Sequence, residues 1–331
     1  MIIIDHFTYK FLEVNVMRKV FSILVISALM IIISACGTDA KKNNDANTGA
    51  KSAEELTIKH QLDETKVKKN PEKVVVFDFG SLDTLDKLGI EPIALPKANI
   101  PKYLAKYEDE KYENVGSLKE PDFEKIHSLK PDLIIISGRQ MELYDEFKEI
   151  APTIFLGVDT EKYMESFESN ARTIGKIFDK EDEVNKELTA IEDSIKALNE
   201  KASSLDGKSL VVLANEGKVS AYGPKSRFGI IHDVFGFAPV DDTIEVSTHG
   251  QSISFEYLVE KNPDYLFVVD RGAAVDGESS GKQIVENDMV EKTNAFKNDH
   301  IIYLDPDYWY LSGGGLESVS SMVKEVEGAI E

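Results

Sequence analysis

Between residues 73 and 157 short apolar runs alternate with segments whose apolar residues recur every three or four positions. KVVVF (73–77), IEPIAL (90–95), LIIIS (133–137) and TIFLG (153–157) read as strands, while SLDTLDKLG (81–89), DFEKIHSLK (122–130) and MELYDEFKEI (141–150) read as helices. Strand and helix in turn predict a mainly parallel sheet covered on both faces. From about Tyr163 to Leu205 the period is helical with few breakers, so one long, charge-rich helix is expected there, a rigid strut with a solvated face. Gly207 ends it, and SLVVLAN (209–215) opens a second half with the same alternation. The expected architecture is α/β: two lobes, 56–160 and 207–331, joined by a helix over 161–206, with a ligand cleft between them.

One unit occurs twice. FEKIHSLKPDLIIISGR (123–139) aligns without gaps on FEYLVEKNPDYLFVVDR (255–271), matching Phe123 with Phe255, Glu124 with Glu256, Pro131 with Pro263, Asp132 with Asp264 and Arg139 with Arg271. Every pair is 132 positions apart. Helix, Pro-Asp turn, strand and arginine repeated in order imply two related lobes.

The start of the chain reads as an export signal. From Met17, Arg18 and Lys19 precede an apolar run from Val20 to Ile33, and Ser34 and Ala35 precede Cys36. Translation is expected to begin at Met17, and residues 1–35 form the signal region. The ending ISAC resembles a bacterial lipobox with Ile in place of Leu, which makes Cys36 the lipid-modified first residue of the mature chain. As the only cysteine, Cys36 cannot form an internal disulfide. The run GTDAKKNNDANTGAKSAEE that follows is small and polar, so residues 36–55 are expected to be a flexible tether.

Charge then narrows the function. A net charge of −21 with scattered lysines excludes nucleic acid as a partner. Lysine is the default cation, and the only arginines are Arg18, Arg139, Arg172, Arg227 and Arg271. Arginine's planar fork binds oxyanions bidentately. Ligands of parallel α/β sheets sit beyond the carboxyl ends of the strands, where Arg139 and Arg271 both fall. Arg227 lies in the turn-rich loop AYGPKSRFG, just after Tyr222, whereas Arg172 falls inside the strut. Three scarce arginines so placed predict a receptacle for a multiply anionic ligand. Lys119 in VGSLKEP, His249 in THGQS and the aromatic run Tyr308, Trp309, Tyr310 before a glycine-rich helix start are weaker candidates. GESSG (277–281) matches G-x-S-x-G, but a polar loop surrounds it where that motif needs a strand and a helix. The six histidines lack ligand spacing, so no metal cluster and no catalytic constellation is expected.

PEKVVVFDFGSLDTLDKLG, VGSLKEPDFEKIHSLKPDLIII, SISFEYLVEKNPDYLFVV and IIYLDPDYWYLSGGG form an ordered series that resembles the substrate-binding lipoproteins of iron-siderophore ABC transporters. The arginine contexts GRQ, SRFG and DRG look most like the branch that binds petrobactin-type siderophores. The resemblance implies two Rossmann-like lobes of the periplasmic-binding-protein type with a helical backbone, little hinge motion, and a shallow cleft. It implies a lipid-anchored protein on the outer side of the cell membrane, a monomer without resident cofactor, whose ligand is a ferric siderophore with the iron held by the siderophore. Arg139, Arg227 and Arg271 would bind the anionic complex, with Lys119, Tyr222, His249 and Trp309 as further contacts. Glu124 and Glu256, one per lobe, would pair with a permease dimer served by a cytoplasmic ATPase. A receptor for haem, a corrinoid or another nutrient is the alternative, and an extracytoplasmic hydrolase a remote one. The chelate preferred is not specified by charge alone.

Overall fold

The computed structural model describes residues 54–278 and 280–330. The signal region, the lipobox with Cys36 and nearly all of the tether lie outside the described residues. The first described element is a hairpin that the apolar pattern did not announce: strands β1 (Glu55–Lys59) and β2 (Glu64–Lys68) pair antiparallel, with Ile58 opposite Thr65 and Leu56 opposite Val67. Ile58 and Val67 are its buried anchors.

The first lobe is a parallel sheet of β3 (Val74–Val76), β4 (Ala94–Leu95), β5 (Glu113–Asn114), β6 (Leu133–Ile136) and β7 (Thr153–Phe155), in the order β5-β4-β3-β6-β7. Helices α1 (Phe79–Lys87), α2 (Phe123–Leu129) and α3 (Tyr144–Ile150) connect strands. All four residues of β6 are buried, as a strand covered on both faces requires. The chain leaves β3 in one direction across the sheet and returns on its other side, so the order reverses between β3 and β6. That reversal opens a crevice at their carboxyl ends.

The connecting segment is helical, but in two pieces rather than one. Helix α4 (Tyr163–Ile177) ends at a turn where Asp179 takes a left-handed conformation, and α5 (Glu181–Ala202) follows. The Asp179 carboxylate is bound at 2.6 Å by both Lys69 Nζ and Asn70 Nδ2 of the first lobe, which pins the break. Only α5 is long enough to bridge lobes, about 33 Å at 1.5 Å per residue. Its buried residues Val184, Leu188, Ile191, Ile195, Leu198 and Ala202 trace a single helical face.

The second lobe contains β8 (Ser209–Asn215), β9 (Lys218–Tyr222), β10 (Gln251–Ile253), β11 (Tyr265–Asp270) and β12 (Ile301–Leu304), in the order β10-β9-β8-β11-β12. It differs from the expected copy of the first. Strands β8, β11 and β12 are parallel, but β9 runs antiparallel to β8 through a tight turn at Glu216 and Gly217, both with positive φ, the geometry of a two-residue hairpin. Helix α6 (Phe255–Lys261) leads into β11, and α7 (Arg271–Val275) leaves it. The last helix, α8 (Leu316–Gly328), packs on α5 and on α1 of the first lobe.

The repeat is visible in hydrogen bonds. Helices α2 and α6 both end in a left-handed residue, Lys130 and Asn262. Asp132 Oδ2 then accepts from the amide of Lys73, and Asp264 Oδ2 from that of Lys208, each at the entry of the neighbouring central strand. The backbone N–H groups of Asp132 and Asp264 donate in return to the carbonyls of Lys73 and Lys208, both at 2.8 Å. The Pro-Asp turn is a clasp that sets the register of β3 with β6 and of β8 with β11.

Beneath both sheets runs one continuous apolar core. It joins Leu82 and Ile135 of the first lobe, Phe167 and Ile191 of the connecting helices, Phe235 and Phe267 of the second lobe, and Trp309 and Val319 of the closing segment. The outer face of each sheet has its own smaller core.

Candidate functional site

Both repeat arginines lie at a strand-order reversal. Arg139 follows β6 in a short 3₁₀ turn, Gly138–Leu143, which Ser137 and Gln140 cap reciprocally; the Gln140 amide also donates to the Leu118 carbonyl at 2.5 Å. Arg271 begins α7, whose N-cap Asp270 accepts from the amides of Ala273, Ser280 and Gly281. The two side chains meet in one depression of about 160 Å³, lined among others by Asn99, Lys119, Arg139, Arg271, Val275 and Tyr310. It takes residues from both lobes and from the π-helical turn Asp307–Ser312 that follows β12.

Tyr310 organises this cleft. Its carbonyl accepts from Arg139 Nη2 at 3.0 Å and from Arg227 Nη2 at 2.7 Å, so one oxygen joins guanidinium groups of opposite lobes. The Arg227 guanidinium also lies over the Tyr310 ring, 4.2 Å from its centroid. Burial pushes the Tyr310 phenol up, but the Arg227 charge, the approach of the Arg271 and Arg227 guanidinium groups to the hydroxyl and the Arg271 charge outweigh it. The phenol is therefore held below its ordinary value. Arg271 Nη1 donates to Asn215 Oδ1 at 3.0 Å, across the reversal between β8 and β11.

The cleft is electropositive. Part of the Arg139 side chain is open, yet the protein around it strips away enough water to lower its pKa, and the Arg227 charge lowers it further. Among the described residues the only ion pair to any of these three arginines is from the exposed Glu216, 3.9 Å from Arg271. Arg172 stands apart on α4, bound to Asn185 and to Glu168.

The other sequence candidates separate. Lys119 is exposed and lines the depression. Tyr222 is fully buried against Phe228 and beneath Gly250, where a Cβ would come within 2.7 Å of its ring. Its hydroxyl has no hydrogen-bond partner, and burial, partly offset by the Arg227 charge, pushes it up to about 12. His249 is exposed on the neighbouring loop and is not among the lining residues. Trp309 requires a correction. It is 3% exposed, its indole N–H donates to Glu325 Oε2 at 2.7 Å, and its ring meets Phe235 edge-on within the interlobe core. The π-helical turn faces Tyr310 to the cleft and its neighbour Trp309 to the interior.

Glu124 and Glu256 both occupy exposed first-turn positions, after the N-caps Asp122 and Ser254. Contact with its own helix-start amide and with the Ser254 hydroxyl holds Glu256 below the usual carboxylate value. Among the described residues no group of three or more His, Cys, Asp or Glu could hold a metal ion, and no helix is long and apolar enough to cross a membrane.

Two α/β lobes face each other across a cleft at their strand ends, and the chain belongs to the periplasmic binding protein family, whose pattern spans residues 74–308. The expected fold and family are thus borne out. The chain is 59% identical over 318 residues to the petrobactin-binding protein YclQ of Bacillus subtilis, covering 95% of this chain and 99% of that one. The crystal structure of YclQ matches with a TM-score of 0.82 at 63% identity, over 84% of this chain and 99% of that one. The catecholate-siderophore binding protein VctP of Vibrio cholerae matches with a TM-score of 0.80 at 38% identity, over 83% and 100% of the two chains.

Proposed function

We propose that this protein is an extracytoplasmic receptor, anchored by a lipid on Cys36, that binds a ferric siderophore of the petrobactin type and delivers it to an ABC permease. The observation that carries the reading is the convergence of Arg139, Arg227 and Arg271 from both lobes on Tyr310, with Lys119 at the same depression and a single weak carboxylate contact. A multiply anionic chelate would supply the missing counter-charge and replace the water that guanidinium groups otherwise require. The names of the relatives fit this ligand class. Glu124 and Glu256 lie outside the cleft, one per lobe, and would meet the two halves of the permease.

Calorimetric titration with ferric petrobactin, ferric citrate, haem and a corrinoid tests the proposal. Saturable binding of ferric petrobactin is expected. Saturable binding of haem or the corrinoid without response to either iron chelate overturns the siderophore assignment.

A further inference from the structure

Arg139 belongs to one lobe and Arg227 and Arg271 to the other, so the shape of the cationic site depends on what fixes the lobes beside Tyr310. The residues immediately after Tyr310 are held by the first lobe and by the start of α4 through a compact set of polar contacts. The Asp83 carboxylate, 1% exposed on α1, accepts the amides of Glu317 at 2.9 Å and Ser318 at 2.8 Å, the opening turn of α8. The Tyr103 hydroxyl lies 3.1 Å from Asp83 Oδ2 and 2.7 Å from Ser312 Oγ. Thr84 Oγ1 accepts the Leu316 amide at 3.2 Å, and the Tyr163 hydroxyl donates to the Gly313 carbonyl at 2.8 Å.

Close approach is built into this junction. A Cβ on Gly315 would fall 2.2 Å from Asp83 Cγ, and one on Gly80 would fall 3.0 Å from the Gly314 carbonyl carbon. Gly313 has φ +51, and its amide donates to the Tyr308 carbonyl at 2.7 Å, so the π-helical turn and the junction form one continuous structure.

We propose that Asp83 is a positioning residue of the cleft: its carboxylate fixes the junction Gly313–Ser318 to the first lobe, and thereby fixes Tyr310 among the guanidinium groups of both lobes. The charged and titratable groups around it fit the role. Tyr103 and Tyr163 are phenols pushed up by burial and by the Asp83 charge, and so remain neutral. Glu317 turns outward to Lys87, at 2.9 Å, while Asp78 caps its own helix at Ser81 and Asp307 accepts the Lys102 amide. Burial raises the Asp83 carboxyl to about 6 in spite of its hydrogen bonds, and each of its oxygens accepts a backbone N–H of the closing segment. A carboxylate at this depth is costly unless its lone pairs are filled, and here groups of both chain segments fill them.

The inference deepens the siderophore reading, and its first readout does not depend on that reading. In the full-length, ligand-free protein the ionisation of Tyr310 is obtained from ultraviolet tyrosinate absorbance, as the difference between each protein and its Tyr310→Phe counterpart. Asp83→Asn puts an amide N–H where a backbone N–H must be accepted, and Gly315→Ala crowds the same carboxylate from the other side. Each is expected to lower the acid dissociation constant of Tyr310 at least threefold, because the phenol moves away from Arg227 and Arg271, and to weaken ferric petrobactin at least tenfold. A change in Tyr310 ionisation of less than threefold in either folded variant overturns the proposal. Failure of the wild-type protein to bind ferric petrobactin would instead sink the siderophore reading and leave the Tyr310 measurement to decide the role of Asp83.

Discussion

Arg139 and Arg271 occupy equivalent places in the two lobes but hold different partners. Arg139 reaches across the cleft to the Tyr310 carbonyl, whereas Arg271 is tied within its own lobe to Asn215. The Pro-Asp clasp explains the sameness, because it sets the strand on which each arginine rides. The neighbouring strand explains the difference: beside β11 stands β8, ending in Asn215 and turning sharply into β9, while beside β6 stands β3, which runs into Asp78, the cap of α1. Duplicated backbone grammar fixes where a functional group emerges. Its surroundings decide whether it is anchored or left to span.

If the lobes are equivalent towards a permease, removing both exposed glutamates is the most drastic way to break the comparison. Glu124→Ala combined with Glu256→Ala is expected to abolish siderophore-dependent iron uptake in cells while the purified protein binds its ferric complex normally. Retained uptake would reduce both residues to helix-start acids. Next in size are the cleft arginines. Alanine at Arg139, Arg227 or Arg271 should weaken ferric petrobactin by about 1.5–3 kcal/mol each, the usual worth of hydrogen bonds to a charged group, with lysine restoring only part. Arg172→Ala serves as the internal reference and should leave affinity unchanged in the same titration. Smallest are the clasps: Asp132→Ala and Asp264→Ala should each destabilise the fold by about 1–3 kcal/mol in urea, the cost of leaving backbone amides unsatisfied. A large effect at one aspartate and none at the other would show that the repeat is one of sequence only.

The repeat unit was the most legible part of the sequence, since Pro131-Asp132 and Pro263-Asp264 combine a helix stop with a side chain that can only accept. Arg139 and Arg271 could be placed from it without further information. The break at Asp179 was hidden because FDKED continues a polar helical face, and its stabilising contacts come from Lys69 and Asn70, more than a hundred residues away. The β1–β2 hairpin was masked by its charges, which occupy the outward positions of strands with only a few buried anchors. The β8–β9 turn did carry a signal, glycine in NEGK, that a reading for strand and helix alternation passed over.

Trp309 and Tyr310 show a different limit. Both are aromatic neighbours in one turn, and composition favours neither. A π-helical turn decides between them, and that geometry depends on Gly313 and on the junction with α1 rather than on the aromatic residues themselves. Tyr310 consequently stood only as one weaker candidate in an aromatic run, although its carbonyl joins the two lobes' arginines.

The continuous core beneath the sheets has a mechanical consequence. Opening the molecule like a shell would part Leu82, Phe167, Ile191 and Phe267 from one another and wet apolar surface, at about 25 cal/mol for each Å² exposed. That cost favours a mouth close to its final width before cargo arrives, so that the ordering cost of capture would fall on a few side chains instead of on whole lobes. A jaw that keeps its width could not announce its load by shutting. If the cargo is the proposed anionic chelate, what changes at the rim is the local electric field, as a cluster of bare cations gains its counter-charge.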